Sequence, residues 1–562
     1  MLVALACAAV VASSAVVAQD GNGSDWPPFG EGDSGSDWPP FGEGDSGSDW
    51  PPFGEGDSDS DWRPFGPGLI GAALSYANGV ERAAAEANER VFRLLDRDCN
   101  PGGVLDSLPS PRYGDLSSSA ESWGVSPGPL CNEDTFFVYL NARELVHSAN
   151  ELQGSGPTIA SLGVDQAGLG TALRWTAAEE FAAQGSMATE FANGQLASLA
   201  ARISALRFGA AGFGTAGLYD SLQRSSPLLA QTGGAVLEDR GEQYSPWGGF
   251  LNYSFGYGSR APTALENAFD FDGTELTLGL DYRLRNNVVI GGIVGVSRQN
   301  IDFDPAASMI SVVDGDMKSD GRSFMVFALS QGARLTFSGS IGLQRIDYEV
   351  ERNIKYPSFN PLVESIYSVA RSAPQADAVV TTFGFGYAFN WGKLGLEPYL
   401  NVERIDVAID AFAERRSIDL LSNTGISRRF DLRISEQSIE SLKTSIGLRF
   451  QYVVTPRIGV IVPYWSVGAY REHEDDARTI TAGFAALEDV LGTTAFVMPT
   501  DPADKSYVVA SAGFSMVLRG GRQRRFEGPV AGGLMGFMQI TTVENRKHID
   551  DRVITGGFRY EF

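Results

Sequence analysis

From Trp247 to the last residue, apolar and polar side chains take turns along the chain. In residues 274–284, Leu276, Leu278, Leu280, Tyr282 and Leu284 share one face, and Glu275, Thr277, Asp281 and Arg283 share the other. In residues 442–454, Leu442, Ile446, Leu448, Phe450 and Tyr452 oppose Lys443, Ser445, Arg449 and Gln451. A period of two reads as β-strand. A soluble sandwich also alternates, but its polar face looks out to bulk water. Here the polar face is rich in Gly and in charges of both signs, and the apolar face ends in aromatics. That pattern predicts a barrel with lipid outside and a polar lumen inside.

About twelve such strands are expected, near 247–258, 273–285, 288–302, 317–331, 333–351, 375–391, 393–411, 432–453, 457–472, 505–519, 525–542 and 549–562. Connections after strands 2, 4, 6, 8 and 10 read as short turns, such as Arg285-Asn286-Asn287. Those after strands 1, 3, 5, 7 and 9 read as long and polar. Short turns on one rim and long loops on the other belong to outer-membrane barrels. After the first twenty residues no uncharged apolar run reaches the roughly 20 residues that a spanning helix needs.

The N-terminal half differs in kind. Residues 2–18, LVALACAAVVASSAVVA, read as the apolar core of an export signal. Cleavage after Ala18 is expected, which makes 1–18 a signal peptide. Its n-region carries no Lys or Arg, so the expected start codon lies upstream. A lipoprotein signal at Cys7 is the rival reading. Residues 19–68 hold a twelve-residue repeat, GSDWPPFGEGDS, starting at Gly23, Gly35 and Gly47, with a degenerate copy from Asp59. Trp-Pro-Pro-Phe cannot enter a helix, because Pro lacks the N–H and restricts its predecessor. An extended, disordered acidic segment is expected. It reads either as a solvated spacer or as a multivalent ligand presenting Trp26, Trp38, Trp50 and Trp62 to an extracellular partner. GDSG at Gly32–Gly35 is part of the repeat and has no scaffold for catalysis.

Residues 69–185 read as a mainly helical region, with helical spacing in 69–97, 134–152 and 170–208 and helix-poor spacers at 100–130 and 153–168. Residues 186–246 read as a helical linker. Two cysteines remain beyond the signal, Cys99 and Cys131, and in an exported chain they read as a disulfide rather than a metal site. A loop of that size stabilises by roughly 3–4 kcal/mol in the chain-entropy model. With 44 Lys and Arg against 69 Asp and Glu, the net charge of −25 disfavours nucleic acid as a partner. His147, His473 and His548 are the histidines, and none sits in a catalytic or metal-binding pattern. No cofactor, metal site or catalytic residue is expected, and the chain is not read as an enzyme.

The last strand, VITGGFRYEF, carries the most specific motif. Ile554, Phe558, Tyr560 and Phe562 fall on one face, and Thr555, Arg559 and Glu561 on the other. With Thr555 and Gly557 upstream, it looks like the sorting signal that outer-membrane barrels present to the barrel-assembly machinery, which would capture its unpaired edge. Export signal, non-barrel region, helix, then a barrel over 247–562 beginning SPWGGFLNYSFGYG and ending FRYEF resembles the autotransporters of type V secretion. The resemblance implies a barrel in the outer membrane of a Gram-negative bacterium, surrounded by its lipid and delivered with the help of periplasmic chaperones. It implies a helix within 186–235 threading the pore, and a passenger displayed at the cell surface, here for adhesion or surface interaction. It also allows self-cleavage at an Asn such as Asn193. The passenger is too short and too helical for a long β-helix stalk. Two alternatives stay open. One is a passenger with esterase or protease activity, although it offers one His and no GxSxG elbow. The other is a porin-like barrel that translocates nothing.

Overall fold

Each long strand is built inside out relative to a soluble sheet. In residues 269–284, Leu278 and Leu280 are 50% and 54% exposed, while Glu275, Thr277 and Asp281 are 7%, 0% and 2% exposed. Apolar residues outside and ionisable ones inside suit a hydrocarbon solvent around a polar interior. The computed structural model describes residues 66–562, except 74–78, 178, 186, 190–192, 195, 197–246, 285–287, 304–313, 333, 420–429, 457–459, 489–495, 520–521, 524–529, 532–533 and 562. The signal peptide, almost all of the acidic repeats, most of the 186–246 linker, the Arg285–Asn287 turn and Phe562 therefore lie outside the described residues.

Twelve antiparallel strands form the wall: β1 (Trp247–Arg260), β2 (Phe269–Leu284), β3 (Val288–Phe303), β4 (Asp314–Gln331), β5 (Leu335–Tyr356), β6 (Gln375–Tyr387), β7 (Leu394–Ile409), β8 (Gln437–Tyr452), β9 (Ile461–Glu472), β10 (Ser506–Arg519), β11 (Leu534–Glu544) and β12 (Ile549–Glu561). Each pairs with its sequence neighbours, and β12 returns to β1 in a register running from Gly248 opposite Glu561 to Arg260 opposite Ile549. The cylinder is closed, which leaves no strand edge unpaired in lipid.

The loop asymmetry holds for most of the barrel and fails at one place. Between β6 and β7 the chain reverses at Trp391-Gly392, where Gly392 takes a positive φ of 61°. The expected short turn after strand 10 instead spans 520–533 and contains a two-residue hairpin, Arg522–Gln523 against Val530–Ala531. Strand 11 accordingly starts at Leu534, not near 525. The run Gly520-Gly521-Arg522-Gln523-Arg524-Arg525 offers no apolar face to lipid, and Pro529 cannot donate to a ladder.

The long loops are also less simply polar than expected. Phe412–Ala413, Leu432–Ile434, Thr479–Phe484 and Phe496–Pro499 join as a small antiparallel sheet above the barrel. Phe430, Leu432, Ile480, Phe484, Phe496 and Met498 fill its core. The expected strand at 432–453 is therefore two, with Leu432–Ile434 given to this sheet.

The helical region rests on the same rim. Its helices are α1 (Gly68–Ala73), α2 (Gly79–Cys99), α3 (Tyr113–Trp123), α4 (Glu133–Leu152) and α5 (Gln166–Thr176). Helix α3 falls in a stretch read as helix-poor. Helix α4 begins with a reciprocal cap: Thr135 N donates to Asn132 Oδ1 at 3.0 Å, and Asn132 N donates to Thr135 Oγ1 at 2.9 Å. Asp165 caps α5 through Gly168 N at 2.8 Å. Phe92 of α2 stacks on Tyr139 of α4 at 5.8 Å between ring centroids. Cys99, the last residue of α2, is bonded to Cys131, which precedes the α4 cap. Gly79 at the start of α2 lies against Pro499 of the loop sheet, close enough that a Cβ would come within 2.9 Å of its Cγ.

Candidate functional site

The candidate site is the polar lumen together with the rim through which the chain enters it. The helical pattern over 170–208 is interrupted at the rim. Helix α5 ends at Thr176, and Ala177 is extended with ψ 175°. Arg352, near the top of β5, lies at the break. Its Nη1 donates to the carbonyls of Trp175 and Ala177 at 3.3 and 3.4 Å, satisfying them where the helix ends. Its remaining nitrogens bind Glu414 at 2.8 and 2.7 Å and the Phe430 carbonyl at 2.8 Å. Glu414 also accepts from Leu432 N at 2.7 Å. One buried guanidinium thus ties the end of the helical region, the β5 tip and the loop sheet together.

A second cluster lies beside it. Arg174 Nη2 meets Glu179 Oε2 at 3.1 Å and Asn267 Oδ1 at 3.2 Å, and Asn267 also bonds Glu179. Phe181 packs edge-on against Phe412 of the loop sheet, 5.1 Å between centroids. Glu180 is fully enclosed. Burial pushes its carboxyl up to about 8, against the opposing pull of Arg352. These residues seal the rim around the descending chain.

Past Phe181 the described residues are helical again and touch the lumen wall. Tyr348 Oη of β5 donates to the Gln184 carbonyl at 3.2 Å, and Gln437 Nε2 reaches Gln184 Oε1 at 3.4 Å. Lower down, Lys443 Nζ of β8 donates to Asn193 Oδ1 at 2.9 Å. Gly194 lies so near β2 that a Cβ there would come within 2.5 Å of Glu275 Oε2. The inner wall itself carries pairs between nearby strands: Arg559 with Asp281 at 3.2 Å, Arg449 with Glu397 at 3.0 Å, and Ser254 with Thr555 at 3.0 Å. The arrangement holds a segment of its own chain in a polar conduit by hydrogen bonds and charge.

The residues singled out in the sequence fall in separate places. Thr555 faces the lumen, while Phe558 and Tyr560 face outward at 56% and 43% exposure. Gly557 sits where β12 meets its neighbours, and a Cβ would come within 2.5 Å of Asn252 Oδ1 and of Phe537 Cε1. The Cys99–Cys131 disulfide lies in the helical region, away from the lumen. His147 is buried in α4. Its Nδ1 accepts from Ala160 N at 3.1 Å, and burial, with Arg143 second, lowers its pKa to about 3. His473 bonds Thr444 Oγ1 through Nε2 at 2.9 Å. Among the described residues no group of three or more His, Cys, Asp or Glu could hold a metal ion. Arg352, Glu414, Arg174, Glu179 and Asn267 are the residues that sequence reading missed. The one signal was Arg352 itself, a charge at an inward position between Val350 and Ile354.

The closed twelve-stranded wall, lipid-facing outside and occupied inside by a segment from its own N-terminal side, defines an outer-membrane β-barrel of the kind that carries a passenger. Residues 249–522 match the family model described as autotransporter beta-domain. The barrel thus carries an autotransporter beta-domain, and barrels of that domain sit in the Gram-negative outer membrane with their passengers at the cell surface. No curated protein matches the chain. Among solved structures it is similar to the translocator domain of the autotransporter NalP from Neisseria meningitidis, at 12% identity and TM-score 0.39, covering 62% of this chain and 98% of that one. It is also similar to the transport unit of the autotransporter AIDA-I from Escherichia coli, at 12% identity and TM-score 0.37, covering 61% and 98%. The β domain of the Bordetella autotransporter BrkA matches at 14% identity and TM-score 0.35, covering 56% and 99%.

Proposed function

We propose that the barrel translocates and then anchors its own short passenger, residues 19–185, for adhesion or another surface interaction. The observation that carries this reading is the path of the chain. It leaves α5 on the long-loop rim, bends at Ala177 under Arg352, and runs down the wall to Asn193 and Lys443. The helical region is thereby held outside the barrel on the long-loop rim. The pore segment continues into 186–235, and the repeats meet an extracellular partner through their regularly spaced tryptophans. The barrel-assembly machinery and periplasmic chaperones deliver the barrel, with Thr555, Gly557, Phe558, Tyr560 and Phe562 as the assembly signal.

The test is protease treatment of intact cells carrying an epitope within the repeats. Loss of the epitope with the barrel retained is expected. Complete protection, in cells whose outer membrane is shown to be intact and to contain the barrel, overturns display.

A further inference from the structure

The outer surface of the barrel is not uniformly apolar. Following each strand outward-face by outward-face from the short-turn rim, the first charged side chain on six strands is an arginine: Arg298 on β3, Arg322 on β4, Arg345 on β5, Arg404 on β7, Arg471 on β9 and Arg552 on β12. All six are exposed. Immediately below them, on the same face, stand Val296, Phe324, Leu343, Val402, Ala469 and Ile554. At the opposite rim the outward face ends in Trp247, Leu284, Leu335, Leu394 and Tyr452. Along these six strands the outward charges thus begin, in a collar of arginine, toward the long-loop side, where the apolar band ends.

The collar is densest on β3 to β5. Arg322 and Arg345 are direct cross-strand partners, and Arg298 is diagonal to Arg322, whose partner on β3 is Val296. Like charges placed opposite one another on a sheet face repel. Arg298 is paired with Asp320 at 2.9 Å, and Arg345 approaches Asp377 at 3.9 Å. No ion pair of Arg322 occurs among the described residues. Exposed pairs of this kind contribute little, so the arginines remain available to a stronger anion. Guanidinium forks suit phosphate oxygens better than an ammonium does.

We propose that the Arg298–Arg322–Arg345 patch, within the wider collar, binds the phosphate groups of a phosphorylated glycolipid in the outward leaflet. The acyl chains would lie along Val296, Phe324 and Leu343, and the phosphate would bridge the opposed guanidinia. A free phosphate satisfies the charge but not the apolar band beneath it, so the occupant is a lipid. On β2, β6, β8 and β11 the first outward charge is acidic, at Asp272, Asp377, Glu440 and Glu544, so β3 to β5 are the one run of three adjacent strands among the described residues that present arginine at this level.

The experiment uses the full chain purified in detergent, with native mass spectrometry reading retention of three probes: diphosphorylated lipid A, the same lipid with both phosphates removed, and inorganic phosphate. Wild type is expected to retain the diphosphorylated lipid at least about tenfold better than the dephosphorylated one. The variant R298Q/R322Q/R345Q should lose that preference while keeping the heat-dependent gel mobility of a closed barrel. If the triple variant does not fold, R322Q alone, which breaks no ion pair among the described residues, should lower retention about threefold or more. Equal retention of the two lipids by wild type, unchanged retention by the folded variant, or inorganic phosphate displacing the lipid at equal concentration each overturns the proposal.

Discussion

Arg352 and Glu414 face each other through two parallel hydrogen bonds, 2.8 and 2.7 Å long, with both side chains shut off from water. The pair lies where the helical region, the strand β5 and the loop sheet converge, so it closes the rim through which the chain passes. Removing one partner of a buried pair strands the other as an uncompensated charge, at roughly 3–5 kcal/mol. R352Q should therefore loosen the rim and expose the Trp175–Phe181 segment to trypsin or chymotrypsin. The barrel's own heat-dependent gel mobility should stay as it was. Replacing both partners, as in R352M/E414L, should restore most of the protection.

The helical region should weaken in acid. His147 is held neutral in the fold, with its pKa lowered to about 3 by burial and then by Arg143, while an unfolded histidine titrates near its ordinary value of 6.5. The unfolded chain therefore binds the extra proton first. Stability is lost as pH falls from about 6.5 toward 3, at up to about 1.4 kcal/mol per pH unit. H147Q should flatten that slope in thermal melts followed by circular dichroism. An identical slope in wild type and variant would remove His147 as its cause.

Glu180 gives the opposite trend at the rim. Its carboxyl is raised to about 8 by burial, so the folded state keeps a proton that the unfolded state releases near 4.5. Stability should fall as pH rises between these values and level off above 8, by an amount on the order of a few kcal/mol. The groups that face it, Arg352, Glu179 and Glu414, set how steep the fall is. E180Q should abolish this dependence and make the rim more protease-resistant than wild type at pH 8. Limited proteolysis across pH 5 to 8.5 reads the difference.

Closure of the barrel should be sensitive to one hydrogen atom on β12. A side chain at position 557 has no room between Asn252 and Phe537, so G557V should slow assembly and leave more heat-insensitive, protease-labile protein. Deleting Phe562 should deplete the chain from outer-membrane fractions. Wild-type levels of the deletion variant there would count against a sorting role for the last residue.

The strands were readable because their signal is local: alternation over a dozen residues names a strand and both its faces at once. The failures are local too. The loop sheet escapes notice because its strands run two to six residues, too short to show a period. Helix α3, YGDLSSSAESW, is rich in Ser, which competes with the backbone for hydrogen bonds and lowers helix propensity. The rim cluster needs partners such as Arg352 and Glu414, 62 positions apart, and only the folded loops bring them together. The arginine collar was present as letters, but its meaning needs the strand register that sets Arg322 beside Arg345.

The covalent ring closed between Cys99 and Cys131 bears on the order of events during export. A chain arriving at the conduit with that ring already sealed would have to travel two lengths abreast. One that oxidises only after emerging would pass in single file, and the bond would then act as a ratchet against sliding back.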